Sequence, residues 1–143
     1  MRQIWNADLA TFSLLDGQCL NILVIICEDT RECVAVEVLR DINKDEVVGT
    51  LTRLVASHYR PAAITVDRSA IFSSKTLSEW AFWNKVALSY AKNPCTGKLT
   101  AERVIHKLRR ECLERFSFTS LESAIQKIQQ WRLHYNEMRR NPA

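Results

Sequence analysis

The chain has little glycine, proline or histidine, with three residues of each among 143. Three scattered glycines cannot form the glycine-rich loop that cradles phosphates in nucleotide-binding proteins. Three scattered histidines likewise argue against a zinc site. The five cysteines form no Cys-x-x-Cys pair, and their odd number in mostly apolar contexts indicates free thiols in a reducing cytoplasm. The sequence therefore predicts a cytoplasmic protein that needs neither zinc nor disulfides.

Long apolar runs are also missing. No run approaches the roughly 20 residues of a membrane span, and the first eight residues lack the apolar segment of a signal peptide. Hydrophobic residues make up 47% of the chain and charged residues 25%, which is typical of a soluble globular protein. With no repeat or linker, we expect one domain over residues 1–143, with a frayed tail over about 137–143.

Charge is distributed unevenly along the chain. The formal net charge is +4, but residues 1–58 contain five Lys/Arg and nine Asp/Glu, which gives −4. Residues 59–143 contain fifteen and seven, which gives +8. A positive excess in one part of the chain indicates a surface that faces a polyanion such as nucleic acid. A solvated basic face without a partner is the other interpretation, and charge alone does not choose between them.

Hydrophobic periodicity predicts the element order β-β-β-α-β-α-β-α-α. Asp16-Gly17 marks a hairpin turn, and the nearly continuous apolar run Cys19–Cys27 is typical of a central strand covered on both faces. A capping box formed by Asn43 and Glu46 begins the first helix. This order predicts an α/β fold of ribonuclease-H-like architecture, with a mixed five-stranded sheet and helices on both faces.

One amphipathic helix is predicted over Thr100–Phe116. Its apolar residues recur at steps of three and four, which predicts one buried stripe. On a neighbouring stripe, Glu102, His106 and Arg109 follow the same spacing, so a carboxylate and basic groups could hold a metal ion and contact a phosphate. When the helix is considered alone, an ordinary intrahelical Glu–His or Glu–Arg pair is the simpler explanation of this stripe.

Three carboxylates occupy informative places in the predicted order. Asp8 lies on the first strand, Asp67 ends the fourth, and Glu102 lies on the helix after the fifth. If the first and fourth strands are neighbours, the two aspartates converge and the helix brings the glutamate beside them. Three such acids repel one another unless cations lie between them, and Mg²⁺ or Mn²⁺ prefer oxygen ligands. The alternative is three solvated acids at the ends of elements.

Several blocks of the sequence match the motifs of one protein family. These blocks are Trp5–Asp8, Ile64–Asp67, Leu108–Leu113 and Trp131–Glu137, of which the last two are the most specific. On these blocks the chain resembles the catalytic core of bacterial insertion-sequence transposases, which belong to the retroviral-integrase-like DDE superfamily. The resemblance covers nearly the whole chain.

The resemblance implies a DDE polynucleotidyl transferase that cleaves and joins DNA phosphodiesters during transposition. It implies that Asp8, Asp67 and Glu102 are the catalytic acids and bind two Mg²⁺ or Mn²⁺ ions. The implied partners are DNA, as element ends and target, and further copies of the chain in a homo-oligomer bound at the nucleoid. We expect phosphate contacts from basic residues on the same helix and from the tail: Arg103, His106, Lys107, Arg109, Arg110, Arg139 and Arg140.

The segments around the acids depart from the family pattern. Arg68–Phe72 stands where the family has Asn-Gly-Pro-Glu-Phe after the second acid, and Thr96–Ala101 replaces the usual approach to the third. Glycine allows backbone angles that arginine and serine resist, so the Asp67 carboxylate can be repositioned. A catalytically silent transposase relic that folds and binds DNA or oligomerises is therefore the alternative hypothesis.

Overall fold

A computed structural model describes residues 3–40, 43–67, 69–90 and 101–140, apart from the side chain of Arg140. The order of its elements is the predicted one. The bounds are β1 Ile4–Ser13, β2 Cys19–Cys27, β3 Cys33–Leu39, α1 Lys44–Ser57, β4 Ala63–Val66, α2 Lys75–Trp83, β5 Ala87–Tyr90, α3 Ala101–Leu108, a π-helical segment Arg109–Leu113, and α4 Leu121–Arg140.

The strands form one mixed sheet in the order β3-β2-β1-β4-β5. The first three strands pair antiparallel, whereas β4 runs parallel to both β1 and β5. The apolar run of β2 is buried because helices cover both faces of the sheet. This mixed sheet with helices on both faces confirms the ribonuclease-H-like α/β architecture predicted from the sequence.

The two faces of the sheet carry two separate cores. Trp5 and Ala7 of β1 pack in the core that includes α1 and α2. Ala10 and Phe12 pack in the other core, with α3, the π-helical segment and α4. Side chains alternate between faces along a strand, so the even-numbered residues of β1 face α3. Asp8 is therefore on the α3 side of the sheet.

The helix predicted over Thr100–Phe116 is not one uniform α-helix. It is α-helical to Leu108 and then π-helical, and the Glu114 N–H donates to the Arg109 carbonyl five residues earlier at 2.8 Å. The predicted apolar stripe is nevertheless buried throughout the described part, so the correction concerns the type of helix and its end. In this segment Glu111 accepts a hydrogen bond from Trp131 of α4. Local periodicity does not show such a long-range contact, and it does not predict a π-helical turn.

The tail is helical further than the sequence indicates. Residues 137–140, where we expect fraying, belong to α4. Asn136 is buried, its Oδ1 accepts from the Cys33 N–H at 2.8 Å, and its Nδ2 donates to the Cys33 carbonyl at 3.0 Å. This attachment to β3 stabilises the last turns of α4. Residues 141–143 lie outside the described ranges.

Within the described ranges, no helix combines the length and apolar character that crossing a bilayer requires. Free thiols are found at four cysteines, of which Cys27, Cys33 and Cys112 are buried and Cys19 is exposed. Cys95 falls among the residues that are not described.

Candidate active site

The carboxylates of Asp8 and Asp67 belong to neighbouring parallel strands. The β1–β4 register ends with Asn6 opposite Thr65, and the same register continued for two residues would set Asp67 opposite Asp8. Neighbouring strands lie about 4.8 Å apart. Asp8 is half-buried, whereas Asp67 is exposed just after the end of β4. The sheet order therefore makes neighbours of β1 and β4, as the predicted convergence of the two acids requires.

Each aspartate has one oxygen held by the backbone. Asp8 Oδ1 accepts from the Leu9 N–H at 2.8 Å, and Asp67 Oδ1 accepts from the Ser69 N–H at 2.9 Å. The second contact has the two-residue spacing of an Asx turn, in which a side chain stabilises a turn without glycine. This turn stands where the family pattern has Gly-Pro, and it fixes one oxygen of Asp67 at the strand end.

Glu102 lies in the helical layer that covers the Asp8 face of the sheet. It is exposed in the first turn of α3. The first amide of that helix, at Ala101, donates to Oδ1 of Asn6 on β1. The start of α3 is therefore attached to the strand that carries Asp8, only two residues away from it.

Burial and neighbouring charges act on the carboxyl of Asp8. Burial raises the pKa of the Asp8 carboxyl above its ordinary value of 3.8, and the hydrogen bond from Leu9 opposes this rise. The negative charges of Asp67 and Glu102 raise the same pKa further. Asp8 is thus within electrostatic range of both Asp67, just after β4, and Glu102 on α3.

These acids do not form a closed ligand cage. In the described part of the chain, no group of three or more His, Cys, Asp or Glu side chains is arranged to hold one metal ion. Mg²⁺, however, is commonly bound by one or two carboxylates together with waters and substrate phosphates. The adjacent aspartates provide hard oxygen donors and excess negative charge. The donor set therefore fits Mg²⁺ or Mn²⁺ bound in this open manner.

Most of the predicted DNA-contacting residues of α3 line a cavity between α3 and α4. Its volume is about 260 Å³, and Tyr135 of α4 forms part of its wall. An adjoining cavity of about 400 Å³ adds His134 and Arg139 from α4, with Glu111 as the acidic residue. Sequence reasoning missed His134 and Tyr135, because periodicity does not show which helices face each other. The predicted residues in the smaller cavity are Arg103, His106, Lys107 and Arg110.

Arg109 lies apart from these cavities. It is half-buried, and its Nη1 donates to the carbonyl of Thr11 on β1 at 2.9 Å. Helix α3 is thus attached to β1 near both ends, through Ala101 and through Arg109. The structure places Arg109 in this attachment, while Arg140, another predicted DNA contact, has no described side chain.

The chain is similar to proteins encoded by bacterial insertion elements. Two family models, both described as Integrase core domain, match residues 1–93 and 94–143. The uncharacterized 31.7 kDa protein of insertion element IS407 from Burkholderia multivorans (strain ATCC 17616 / 249) is 31% identical over 145 residues, which cover 99% of this chain and 51% of that protein. The uncharacterized 39.2 kDa protein of insertion element IS476 from Xanthomonas euvesicatoria is 28% identical over 136 residues, which cover 94% and 39%. The chain thus spans about half the length, or less, of these curated relatives.

The fold is similar to those of solved retroviral proteins. The HTLV-2 integrase catalytic core domain in complex with magnesium, in its dimeric form, gives a TM-score of 0.66 at 16% identity, covering 87% of this chain and 80% of that one. The simian T-cell lymphotropic virus intasome in complex with PP2A regulatory subunit B56 gamma gives 0.74 at 15% identity, covering 89% and 47%. At such identities the likeness shows a shared fold.

Proposed function

Because the chain belongs to the integrase core domain family, we propose that it is the catalytic core of an insertion-sequence transposase, which cleaves and joins DNA phosphodiesters. One arrangement supports this function most strongly. Asp8 lies on β1, Asp67 follows the parallel neighbour β4, and the start of α3 is attached to β1 two residues before Asp8. Solvated acids on unrelated elements would have no reason to share the surroundings of β1.

In this proposal Asp8, Asp67 and Glu102 act as ligands for Mg²⁺ or Mn²⁺, with room for two ions as substrate phosphates complete the shell. Bound divalent ions would polarise the phosphodiester and lower the pKa of the attacking water or 3′-hydroxyl. The carboxylates themselves form no covalent bond with DNA. The presence of magnesium with the HTLV-2 integrase core supports this choice of ion.

We propose that DNA phosphates bind along the cavities between α3 and α4. Lys107 and Arg110 follow Glu102 by five and eight residues, which places them about 8 and 12 Å further along the helix axis. By helix geometry Lys107 also lies about 140° round the axis from Glu102, and Arg110 about 80°, so a strand held at the carboxylates would curve round the helix to reach these cations. Phosphate contacts of this kind fix the position of DNA without reading its sequence.

The experiment is a plasmid-nicking assay in Mn²⁺ with a matched pair of variants. Glu102 and Glu122 are both exposed acids in the first turn of a helix. We expect Glu102→Gln to reduce nicking by at least about a hundredfold, because loss of a metal ligand exceeds the 10- to 100-fold cost of losing an outer-shell partner. Glu122→Gln should leave nicking unchanged, and both variants should still bind DNA. Equal losses in the two variants would contradict the proposed role.

A catalytically silent DNA-binding core is the second candidate. It is favoured by the open arrangement of the three acids, which do not close around one ion among the described residues. In that case the wild-type chain binds DNA but shows no Mn²⁺-dependent cleavage. The nicking assay on the wild-type protein thus separates the two candidates before any variant is made.

We also propose that the chain acts as a homo-oligomer. The HTLV-2 integrase core has been solved in dimeric and trimeric forms, and the similar fold here supports self-association. Phe82 and Trp83 at the end of α2 are 74% and 78% exposed, so they offer an apolar surface for it. Sedimentation velocity tests the proposal, and a monomer at every concentration would contradict it.

A further inference from the structure

Asn6 is a buried polar residue that forms hydrogen bonds to two of the elements around the candidate active site. Only 8% of its surface is exposed. Its Nδ2 donates to the carbonyl of Thr65 on β4 at 3.1 Å, and its Oδ1 accepts from the Ala101 N–H at the start of α3. One side chain on β1 therefore connects two other elements, one in its own sheet and one in the helical layer.

Both connections fall immediately before the predicted acids. Asn6 lies two residues before Asp8 on β1. The carbonyl that accepts its amide proton lies two residues before Asp67, and the backbone amide that donates to it lies one residue before Glu102. The spacing between the three carboxylates is thus linked to the hydrogen bonds of a single side chain.

The chemistry of asparagine suits this place. The first amides of a helix have no partner within the helix, so the amide at the start of α3 needs an outside acceptor. The carbonyl of Thr65, one residue before the end of β4, accepts at the same point. An asparagine side chain supplies both groups from one planar amide, whereas an ionised aspartate only accepts and an apolar residue does neither.

We propose that Asn6 is a positioning residue, whose two hydrogen bonds hold the start of α3 against β1 and β4 and thereby aim Glu102 at the other two carboxylates. The attachment of α3 is a property of the metal-free chain. Its consequence for metal binding rests on the function proposed above. The two parts can therefore be tested separately.

The chain provides a matched control in Asn136. Like Asn6, it is a buried asparagine, 4% exposed, and it donates to one backbone carbonyl and accepts from one backbone amide. Its partner is Cys33 on the far edge strand, away from the three acids. Asn6→Ala and Asn136→Ala remove equivalent bonds, so a general loss of stability should appear in both variants.

The first test measures amide hydrogen exchange in the metal-free protein. Exchange at Ala101 and Glu102 should be at least about tenfold faster in Asn6→Ala than in the wild type, because the first amide loses its acceptor and the end of the helix opens more often. Asn136→Ala should leave exchange at these two residues unchanged. Equal exchange rates there in the wild type and Asn6→Ala would overturn the proposal.

The second test is a double-mutant cycle on Mn²⁺ affinity. Asn6→Ala should weaken Mn²⁺ binding about tenfold, as is usual for loss of a residue that orients a ligand. It should have no further effect in a Glu102→Gln background, because the group that it orients is gone. Equal weakening in both backgrounds would overturn the proposal. If the wild type binds no Mn²⁺, the proposed function fails instead, and hydrogen exchange alone decides the role of Asn6.

Discussion

The ionised form of Asp8 is disfavoured in the folded chain when no cation is bound. Burial and the charges of Asp67 and Glu102 raise the pKa of its carboxyl, and the Leu9 N–H only partly opposes them. A carboxyl whose pKa is higher in the folded chain favours folding while it is protonated. This stabilisation is present below the unfolded value of 3.8 and is lost as pH rises through the raised pKa.

We therefore predict that Asp8→Asn increases the free energy of unfolding at neutral pH in a chelating buffer. Asparagine removes the charge and keeps an oxygen that can accept from the Leu9 N–H. The increase should shrink as the pH falls through the raised pKa towards 3.8, because the carboxyl of the folded wild type then becomes protonated. Urea unfolding over this pH range measures the effect. A variant that is less stable than the wild type at neutral pH would contradict this explanation.

Sequence reasoning at the scale of single residues proposed three acids but not Asn6. Asp8, Asp67 and Glu102 were proposed from their positions in the element order together with the family resemblance, and their role stays a prediction. The partners of Asn6 are 59 and 95 residues away in the chain. Its role depends on which groups fold against it, and no local pattern contains that information.

At the scale of elements, the π-helical segment after α3 directs two neighbouring arginines to different surroundings. Arg109 donates to the Thr11 carbonyl on β1, whereas Arg110 lines the cavity between α3 and α4. Adjacent residues of a helical segment point in different directions, about 100° apart in an α-helix. One side chain can therefore pack towards the sheet while the next faces solvent. The sequence predicts a DNA contact for both.

We predict that replacing these arginines by alanine affects different properties, namely stability for Arg109 and DNA binding for Arg110. Arg109→Ala should lower the free energy of unfolding by about 1 kcal/mol, because a hydrogen bond is lost, and should change DNA affinity little. Arg110→Ala should preserve stability and reduce the slope of log affinity against log salt by about one unit, as expected for one phosphate contact. Urea unfolding and fluorescence anisotropy over a range of salt measure the two effects. The reverse pattern would contradict the assigned contacts.

Element boundaries were predictable where packing follows local pattern and not where long-range bonds decide. The bounds of β2 and β3 agree with the apolar runs of the sequence. In the π-helical segment, Glu111 accepts from Trp131 Nε1 at 2.9 Å, across 20 residues. Local periodicity does not reveal such a contact, nor does it predict a π-helical turn, which is rare.

At the scale of the whole molecule, the sheet order was predictable because few topologies suit the pattern. An apolar run covered on both faces belongs in the interior of a sheet, and a strand–helix–strand connection favours a parallel neighbour. The order β3-β2-β1-β4-β5 meets both conditions. The docking of α3 and α4 was less predictable, because the surface between them is made by side chains from distant parts of the chain.

The central claim is that Asp8, Asp67 and Glu102 bind divalent cations. Isothermal calorimetry with Mn²⁺ tests it most directly, with Asp16 as the matched control for Asp67. The Oδ1 atoms of both aspartates accept from the backbone N–H two residues later at 2.9 Å, but Asp16 is in the hairpin between β1 and β2.

We predict that the wild-type chain binds Mn²⁺. Asp67→Asn should weaken this binding by at least about tenfold, because a first ligand is lost, while Asp16→Asn should leave it unchanged. No binding by the wild type, or equal affinity in the wild type and Asp67→Asn, would contradict the claim.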